Sequence, residues 1–331
     1  MVIPGTPDVH ISGCIHLHSY IRWRQDTVHL LPVLMKHFLK KTTIFSLCIL
    51  LLLISAEIYV RHLPNPYKDK HRWMLQHSRS VKTLVLGSSH TFYGIDASLL
   101  PDTAFNLANP AQPYRYDYYL LKHYPTDRLR NVILPYSYFS LYYDFENDPR
   151  EWWNGIRYRL YMDCDLHSKL SYYGFECSSI NSLVNQLQSL WKPNPLSWDS
   201  LGRGTDLSYA HRAPYWDDGE LGVNLHTYAD TSAVALNTAL LDSILDYCKS
   251  RRINVLLITT PLSPNFRKYQ DSIQTNRNAR VLHDILKRHK EVKYLDFSAD
   301  TLFRDSDFHD SHHMSEYGAA KLSRMLHKYL Y

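Results

Sequence analysis

The sequence predicts an α/β fold, a three-layer sandwich in which helices cover both faces of a parallel sheet. Short apolar runs alternate with amphipathic helical segments along most of the chain, as in proteins built from βαβ units. One run, NVLLIT at 254–259, is the near-continuous apolar kind found in strands buried on both faces. With 331 residues and 45% hydrophobic composition, the chain can bury one core of considerable size.

Each predicted element follows from a local pattern. Apolar and β-branched runs predict strands, and apolar residues at helical spacing predict helices. The predicted strands are 81–86, 104–108, 131–134, 254–259 and 292–297. The predicted helices are 116–124, 237–250, 277–289 and 315–329, and Ser315 is the expected N-cap of the last one.

An apolar segment near the N-terminus predicts one transmembrane helix. Residues 42–56, TTIFSLCILLLLISA, carry no charge, and the stretch 42–60 is close to the ~20 residues that cross a bilayer. Lys36, Lys40 and Lys41 precede it, and by the positive-inside tendency residues 1–41 stay in the cytoplasm. The remainder of the chain is then extracytoplasmic.

Two other interpretations of this segment are weaker. Ser55-Ala56-Glu57 is a poor cleavage site, so an uncleaved anchor is favoured over a signal peptide. A leucine run without a polar face is unusual for a buried helix of a soluble domain. Because Met35 begins a typical anchor sequence, residues 1–34 are expected to be an over-long gene model. The charged, proline-broken segment 61–80 is predicted to be a linker before a domain at 81–331.

Composition excludes some classes of protein and leaves others open. The net charge of +5 is small and scattered, so no basic stripe favours a nucleic-acid partner. The five cysteines include no CxxC pair. Cys164 and Cys177 could pair in an oxidising compartment. The segment 145–228, rich in Trp, Tyr, Pro and Asn, interrupts the α/β rhythm and predicts an irregular insertion or lid; its aromatic rings could bind glycan or form a core.

Two motifs at opposite ends of the domain could form a nucleophilic site. The strand in VKTLVLGSSHTFYGID (81–96) ends in a small-residue turn, where open α/β sheets bind ligands. A serine becomes a nucleophile when an oriented base takes its proton. In FHDSHHMSEYGA (308–319), Asp310 and His313 are three residues apart, which lets the carboxylate hold Nδ1–H and leaves Nε2 for a serine.

These motifs resemble the SGNH/GDSL hydrolase superfamily, and specifically its membrane-anchored cell-envelope branch. That branch includes alginate O-acetylation and teichoic-acid D-alanylation proteins. Gly87-Ser88-Ser89 matches the opening Gly-x-Ser block, with Ser88 in place of the usual aspartate. Asp310 and His313 match the closing Asp-x-x-His block, which precedes a helix containing Gly-Ala.

The resemblance implies an SGNH/flavodoxin-like sheet and an esterase or O-acyltransferase that acts on a cell-envelope polysaccharide. Ser89 would be the nucleophile, His313 the base and Asp310 its orienting partner, without a cofactor. The implied partners are the lipid bilayer, an acylated envelope glycan or acyl donor, and a membrane acyltransferase. The alternative is a non-catalytic envelope assembly or glycan-binding protein that retains the fold.

The middle of the chain departs from the family pattern. FNLANPAQPY (105–114) lacks the glycine of the second block, and ILPYSYFSLYYD (133–144) lacks the asparagine of the third. Asn109, or the backbone near Ala111, is then expected to replace the missing oxyanion donor. Ser88 is expected to support the turn, and His90 to be either a surface residue or a substrate contact.

The closing motif also raises the possibility of a metal site. Imidazole and carboxylate groups suit zinc, and four such residues cluster at His309, Asp310, His312 and His313. No third ligand arm is evident elsewhere in the sequence, and a triad already accounts for two of these residues. No metal is therefore predicted.

Overall fold

The computed structural model describes residues 13–145, 152–166, 174–178, 180–189, 191 and 196–330. The chain divides into two units, residues 1–59 and residues 60–331. The long first helix, α1, covers Gly13–His62. Its segment Leu34–His62 contains an 18-residue stretch with a mean hydropathy of 2.3, and the segment is long and apolar enough to span a membrane. This segment contains the predicted anchor. A signal sequence near the N-terminus has a similar length and composition.

A five-stranded parallel sheet forms the centre of residues 60–331. Its strands are β1 (Thr83–Val85), β2 (Ala104–Asn106), β3 (Asn131–Pro135), β4 (Asn254–Thr259) and β5 (Lys293–Asp296). All neighbours are parallel, in the order β2-β1-β3-β4-β5. That is the flavodoxin-like order, whose topological switch point lies between the first and third strands. The prediction of a parallel α/β sheet is confirmed.

Ten further helices follow α1 in the described part of the chain. They are α2 (Pro66–His77), α3 (Ser89–Gly94), α4 (Tyr114–His123), α5 (Trp153–Met162), α6 (Ile180–Ser189), α7 (Gly219–His226), α8 (Ser232–Ser250), α9 (Pro264–Tyr269), α10 (Ser272–Arg288) and α11 (Glu316–His327). The four predicted helices correspond to α4, α8, α10 and α11. Ser315 caps α11 as predicted, because its Oγ accepts the N–H of Gly318.

Alternate strand residues face two separate apolar layers. Leu84 and Leu257 pack with buried leucines of α4 and α8, whereas Val85 and Leu256 pack with leucines of α11 on the opposite face. Each fully buried side chain of this kind contributes roughly 1.5–3 kcal/mol. The two layers produce the predicted three-layer sandwich.

The segment predicted to be a linker contains helix α2. Asn65 caps this helix by accepting the N–H groups of Tyr67 and Lys68, and Pro66 occupies its first turn. The Asn-Pro pair that suggested a break is therefore a helix start signal. Met74 is fully buried, and the buried ammonium of Lys70 donates to the carbonyl of Ala108. These contacts make α2 part of the domain.

The predicted irregular insertion is partly helical, since it contains α5, α6 and α7. Tyr158 of α5 is fully buried against the rings of Tyr67 and Tyr116, so this aromatic segment contributes to the core. Packing against α2 supplies the stabilisation that local propensity does not indicate. Residues 146–151, 167–173, 179, 190 and 192–195 of the insertion lie outside the described residues. Cys164 and Cys177 are both thiols in the structure.

Candidate active site

A tight turn after β1 presents Ser89 at the carboxyl edge of the sheet. Gly87 has a φ of +106°, and Ser88 occupies the N-cap position of α3. Ser88 and His90 are buried on either side of Ser89, which remains partly exposed. The hydroxyl of Thr91 closes the turn by donating to the carbonyl of Leu86 at 2.7 Å. The turn thus exposes one serine of the pair.

Alanine at Gly87 is expected to destabilise the protein by about 2–5 kcal/mol, because strain and overlap combine. A Cβ there would lie 2.2 and 2.3 Å from Cγ and Cδ of Pro135, and the backbone is left-handed. Gly94→Ala is the matched control, since its Cβ would lie 3.4 Å from Met314 without positive φ. Thermal unfolding of both variants measures the difference, and equal stability of the two would contradict the prediction.

A continuous hydrogen-bond chain joins the two sequence motifs. The Oγ of Ser89 lies 2.9 Å from Nε2 of His313, and Nδ1 of His313 lies 2.8 Å from Oδ2 of Asp310. The side chain of His313 is 16% exposed, so the serine–imidazole pair is shielded yet reachable. The geometry allows proton transfer from the serine to an imidazole whose tautomer is set by the carboxylate.

The loop before α11 holds His313 in place. Phe308 and Met314 form an isolated antiparallel bridge, and the N–H of His309 donates to the carbonyl of His313 at 3.0 Å. The second carboxylate oxygen of Asp310 accepts the backbone N–H groups of His312 and His313. The carboxylate therefore fixes both the loop and the imidazole.

The environment of Asp310 keeps it ionised. Burial alone would raise the pKa of this carboxyl, but the imidazoles of His313 and His312 and the hydrogen bonds that the carboxylate accepts outweigh it. The pKa of Asp310 is consequently held well below its ordinary value. A negative charge can then stabilise an imidazolium on His313.

A buried polar network supports the turn from below, and sequence reasoning missed it. The carboxylate oxygen Oδ1 of Asp117 accepts the N–H of Gly87 at 2.7 Å and Nε2 of Gln112 at 2.5 Å. The Oε1 of Gln112 accepts the hydroxyl of Tyr158 and Nδ2 of Asn109. In the sequence, the carboxylate of Asp117 near the apolar Leu120 and Leu121 was the one sign of a buried polar group. Its hydrogen-bond partners, Gly87 and Gln112, could not be predicted because tertiary packing brings them together.

Asn109 belongs to this network and is fully buried. Its amide donates to Oε1 of Gln112 at 3.2 Å, and its role as an oxyanion donor stays a prediction. Ser88 is buried too, and within the described chain its Oγ has no hydrogen-bond partner. It lines a cavity with Asp117 that has room for about one water molecule. The predicted role of Ser88 in supporting the turn stays a prediction.

Protonation of Asp117 is expected to make stability depend on pH. Burial raises its pKa from 3.8 to about 7. Because the folded state binds the proton more tightly, stabilisation is full below pH ~4 and is lost as pH rises through about 7. Asp117→Asn keeps an acceptor for Gly87 and Gln112 but cannot ionise. The free energy of unfolding of wild type should fall by about 4 kcal/mol between those pH values, and that of Asp117→Asn should not show this fall.

Urea unfolding of both proteins in detergent, at low and at mildly alkaline pH, measures this difference. Asp127→Asn is the control, because Asp127 is an exposed partner of Arg79. Parallel pH–stability curves for wild type and Asp117→Asn would contradict the prediction.

His90 lies in a buried imidazole cluster, so its interpretation as a surface residue is wrong. It is 3% exposed, and its Nδ1 lies 2.9 Å from Oγ of Ser137, a residue of the divergent third block. Burial, followed by the neighbouring imidazoles, holds the pKa values of His90 and His312 well below 6.5, so both rings are neutral at pH 7.

The imidazole cluster also contains a possible metal site. Ring nitrogens of His90, His312 and His313 all lie within 4.8 Å of one another. His90 thus supplies the third arm that the sequence did not reveal, because it is more than 200 residues away along the chain. Among the described residues, these three are the group able to hold a metal ion.

No protein-family model and no curated protein matches this chain. Sixteen solved chains are similar to it, and two of them illustrate the level of similarity. A candidate platelet activating factor from Streptococcus pneumonia has 12% identity and a TM-score of 0.41, covering 86% of this chain and 99% of its own. A candidate acylhydrolase from Bacteroides fragilis has 10% identity and a TM-score of 0.38, covering 78% of this chain and 93% of its own. Similarity at this level assigns no activity to the chain.

Proposed function

We propose that the chain is a membrane-anchored, extracytoplasmic serine esterase or O-acyltransferase that acts on an acyl ester of a cell-envelope polysaccharide. The observation that carries the reaction class is the hydrogen-bond chain from Ser89 through His313 to Asp310, at 2.9 and 2.8 Å. Ser89 is partly exposed between two buried neighbours, as a nucleophile must be.

The chemistry proceeds in two steps. Ser89 Oγ attacks the acyl carbon while its proton passes to Nε2 of His313, and Asp310 stabilises the resulting imidazolium. His313 then protonates the departing alcohol oxygen as the carbon–oxygen bond breaks, which leaves an acyl ester on Ser89. Water, or a sugar hydroxyl in a transferase, then attacks the acyl carbon and gives its proton to Nε2 of His313. His313 passes that proton to Oγ of Ser89 as the serine–acyl bond breaks, which releases a carboxylic acid or a new sugar ester. The backbone N–H of Ser89 is one oxyanion donor in this proposal.

The location and substrate class depend on other observations. The segment Leu34–His62 could serve as the anchor, and the lysines before it favour a cytoplasmic N-terminus. The polysaccharide substrate, the acyl donor and the membrane acyltransferase partner follow from the resemblance to the envelope branch of SGNH proteins.

A fluorophosphonate probe on the full chain in detergent tests the reaction class. We expect one adduct, located by mass spectrometry at Ser89, that is lost in His313→Ala. Ser88→Ala is the matched control and should still be labelled. A folded wild-type chain without an adduct would contradict the proposal and favour the non-catalytic assembly or glycan-binding alternative.

A further inference from the structure

Three imidazoles meet beside Ser89: His90 comes from α3, and His312 and His313 are consecutive residues of the loop before α11. His90 and His312 are buried and His313 is largely so, and their ring nitrogens lie within 4.8 Å of one another. The ring centroids of His90 lie 5.7 Å from His312 and 5.5 Å from His313. The rings of His312 and His313 are 4.1 Å apart. Zn–N bonds of about 2.0–2.1 Å bring the ligand nitrogens of a tetrahedral site to within about 3.5 Å of one another, so the three rings have to draw together when they bind an ion.

Each imidazole already has Nδ1 close to an oxygen atom. Nδ1 of His90 lies 2.9 Å from Oγ of Ser137, and Nδ1 of His313 lies 2.8 Å from Asp310. Nδ1 of His312 lies 3.2 Å from Asp310 Oδ1. Oxygen partners on one ring nitrogen are what orient the other nitrogen in histidine metal sites. The arrangement therefore leaves the three Nε2 atoms as the potential ligands.

The Nε2 of His90 gives a second, independent sign of a missing ligand. This atom is buried and has no hydrogen-bond partner among the described residues. A buried polar atom without a partner costs roughly 1–3 kcal/mol, and coordination to an ion would satisfy it.

We propose that His90, His312 and His313 bind one Zn²⁺ ion, and that the ion switches off the serine chemistry by occupying Nε2 of His313. Neutral imidazoles suit zinc and neighbouring late transition metals, whereas magnesium and calcium prefer oxygen ligands. The lone pair that accepts the proton of Ser89 cannot simultaneously bind the ion. The inhibitory half rests on the proposed function, whereas the binding half does not.

Calorimetric titration of the EDTA-treated full chain in detergent with ZnCl₂ tests binding. We expect one ion per chain and at least tenfold weaker binding in His90→Gln and His312→Gln. His309→Gln, in the same loop but outside the trio, is the matched control and should bind as wild type does. No saturable binding, or equal affinity in all three variants, would overturn the site, since the chain holds 19 histidines that could bind zinc adventitiously.

The visible spectrum of Co²⁺ bound to the wild-type chain tests the site even where a variant misfolds. An intense absorption typical of tetrahedral nitrogen coordination is expected. A weak octahedral spectrum would show an ion held by water and surface groups, and would overturn the proposal.

Fluorophosphonate labelling of Ser89 with and without ZnCl₂ tests inhibition. Labelling should slow at least tenfold with zinc, recover with EDTA, and lose its zinc sensitivity in His312→Gln. Equal labelling with zinc bound would overturn the inhibitory role. A chain that binds zinc through the trio but never labels would refute the proposed function alone, and one that labels without binding zinc would refute this inference alone.

Discussion

Alanine in place of Ser89 is expected to lower kcat for hydrolysis of an acetyl ester by about 10⁶-fold. The substitution removes the atom that forms the acyl intermediate in the proposed mechanism, and it leaves His313 without the hydroxyl 2.9 Å away. Binding and electrostatic contributions survive, so residual turnover above the uncatalysed rate is expected.

Hydrolysis of p-nitrophenyl acetate by the full chain in detergent measures this loss. Ser88→Ala is the control, because Ser88 is buried in the turn while Ser89 is partly exposed. A Ser89→Ala variant that keeps a hundredth of the wild-type rate would show that another group attacks the ester.

Asparagine in place of Asp310 is expected to lower kcat by about 10⁴-fold with little change in the fold. The amide oxygen can still accept the N–H groups of His312 and His313, so the loop keeps its anchor. The amide nitrogen then faces Nδ1 of His313 and forces that atom to accept. The imidazole proton moves to Nε2, and Nε2 can then no longer accept the proton of Ser89.

The same ester assay measures this effect, and thermal unfolding checks that the variant is folded. His309→Gln again serves as a neighbouring control, because the side chain of His309 is bonded to the carbonyl of Ser208 outside the triad. A loss smaller than tenfold would mean that Asp310 does not set the tautomer of the base.

Local patterns predicted most of the sheet and the segments that carry Ser89, Asp310 and His313. The strand 254–259 has the predicted bounds, and Ser315 caps the last helix as expected. Strand and helix periodicity depend on nearest neighbours along the chain, which the sequence displays directly. The secondary-structure predictions were wrong at two kinds of place. At Asn65-Pro66 the start signal of a helix resembled the end of regular structure, and around Tyr158 the helix depends on tertiary packing.

The sequence by itself determined the apolar N-terminal segment, the α/β alternation, the glycine-serine turn and the three-residue spacing of Asp310 and His313. Only the tertiary structure decided that His313 meets Ser89 across 224 positions, that Asp117 supports the turn, and that His90 joins His312. Distances between remote residues are set by the strand order and by the packing of both sheet faces. No local pattern encodes those distances, because each depends on every element that lies between.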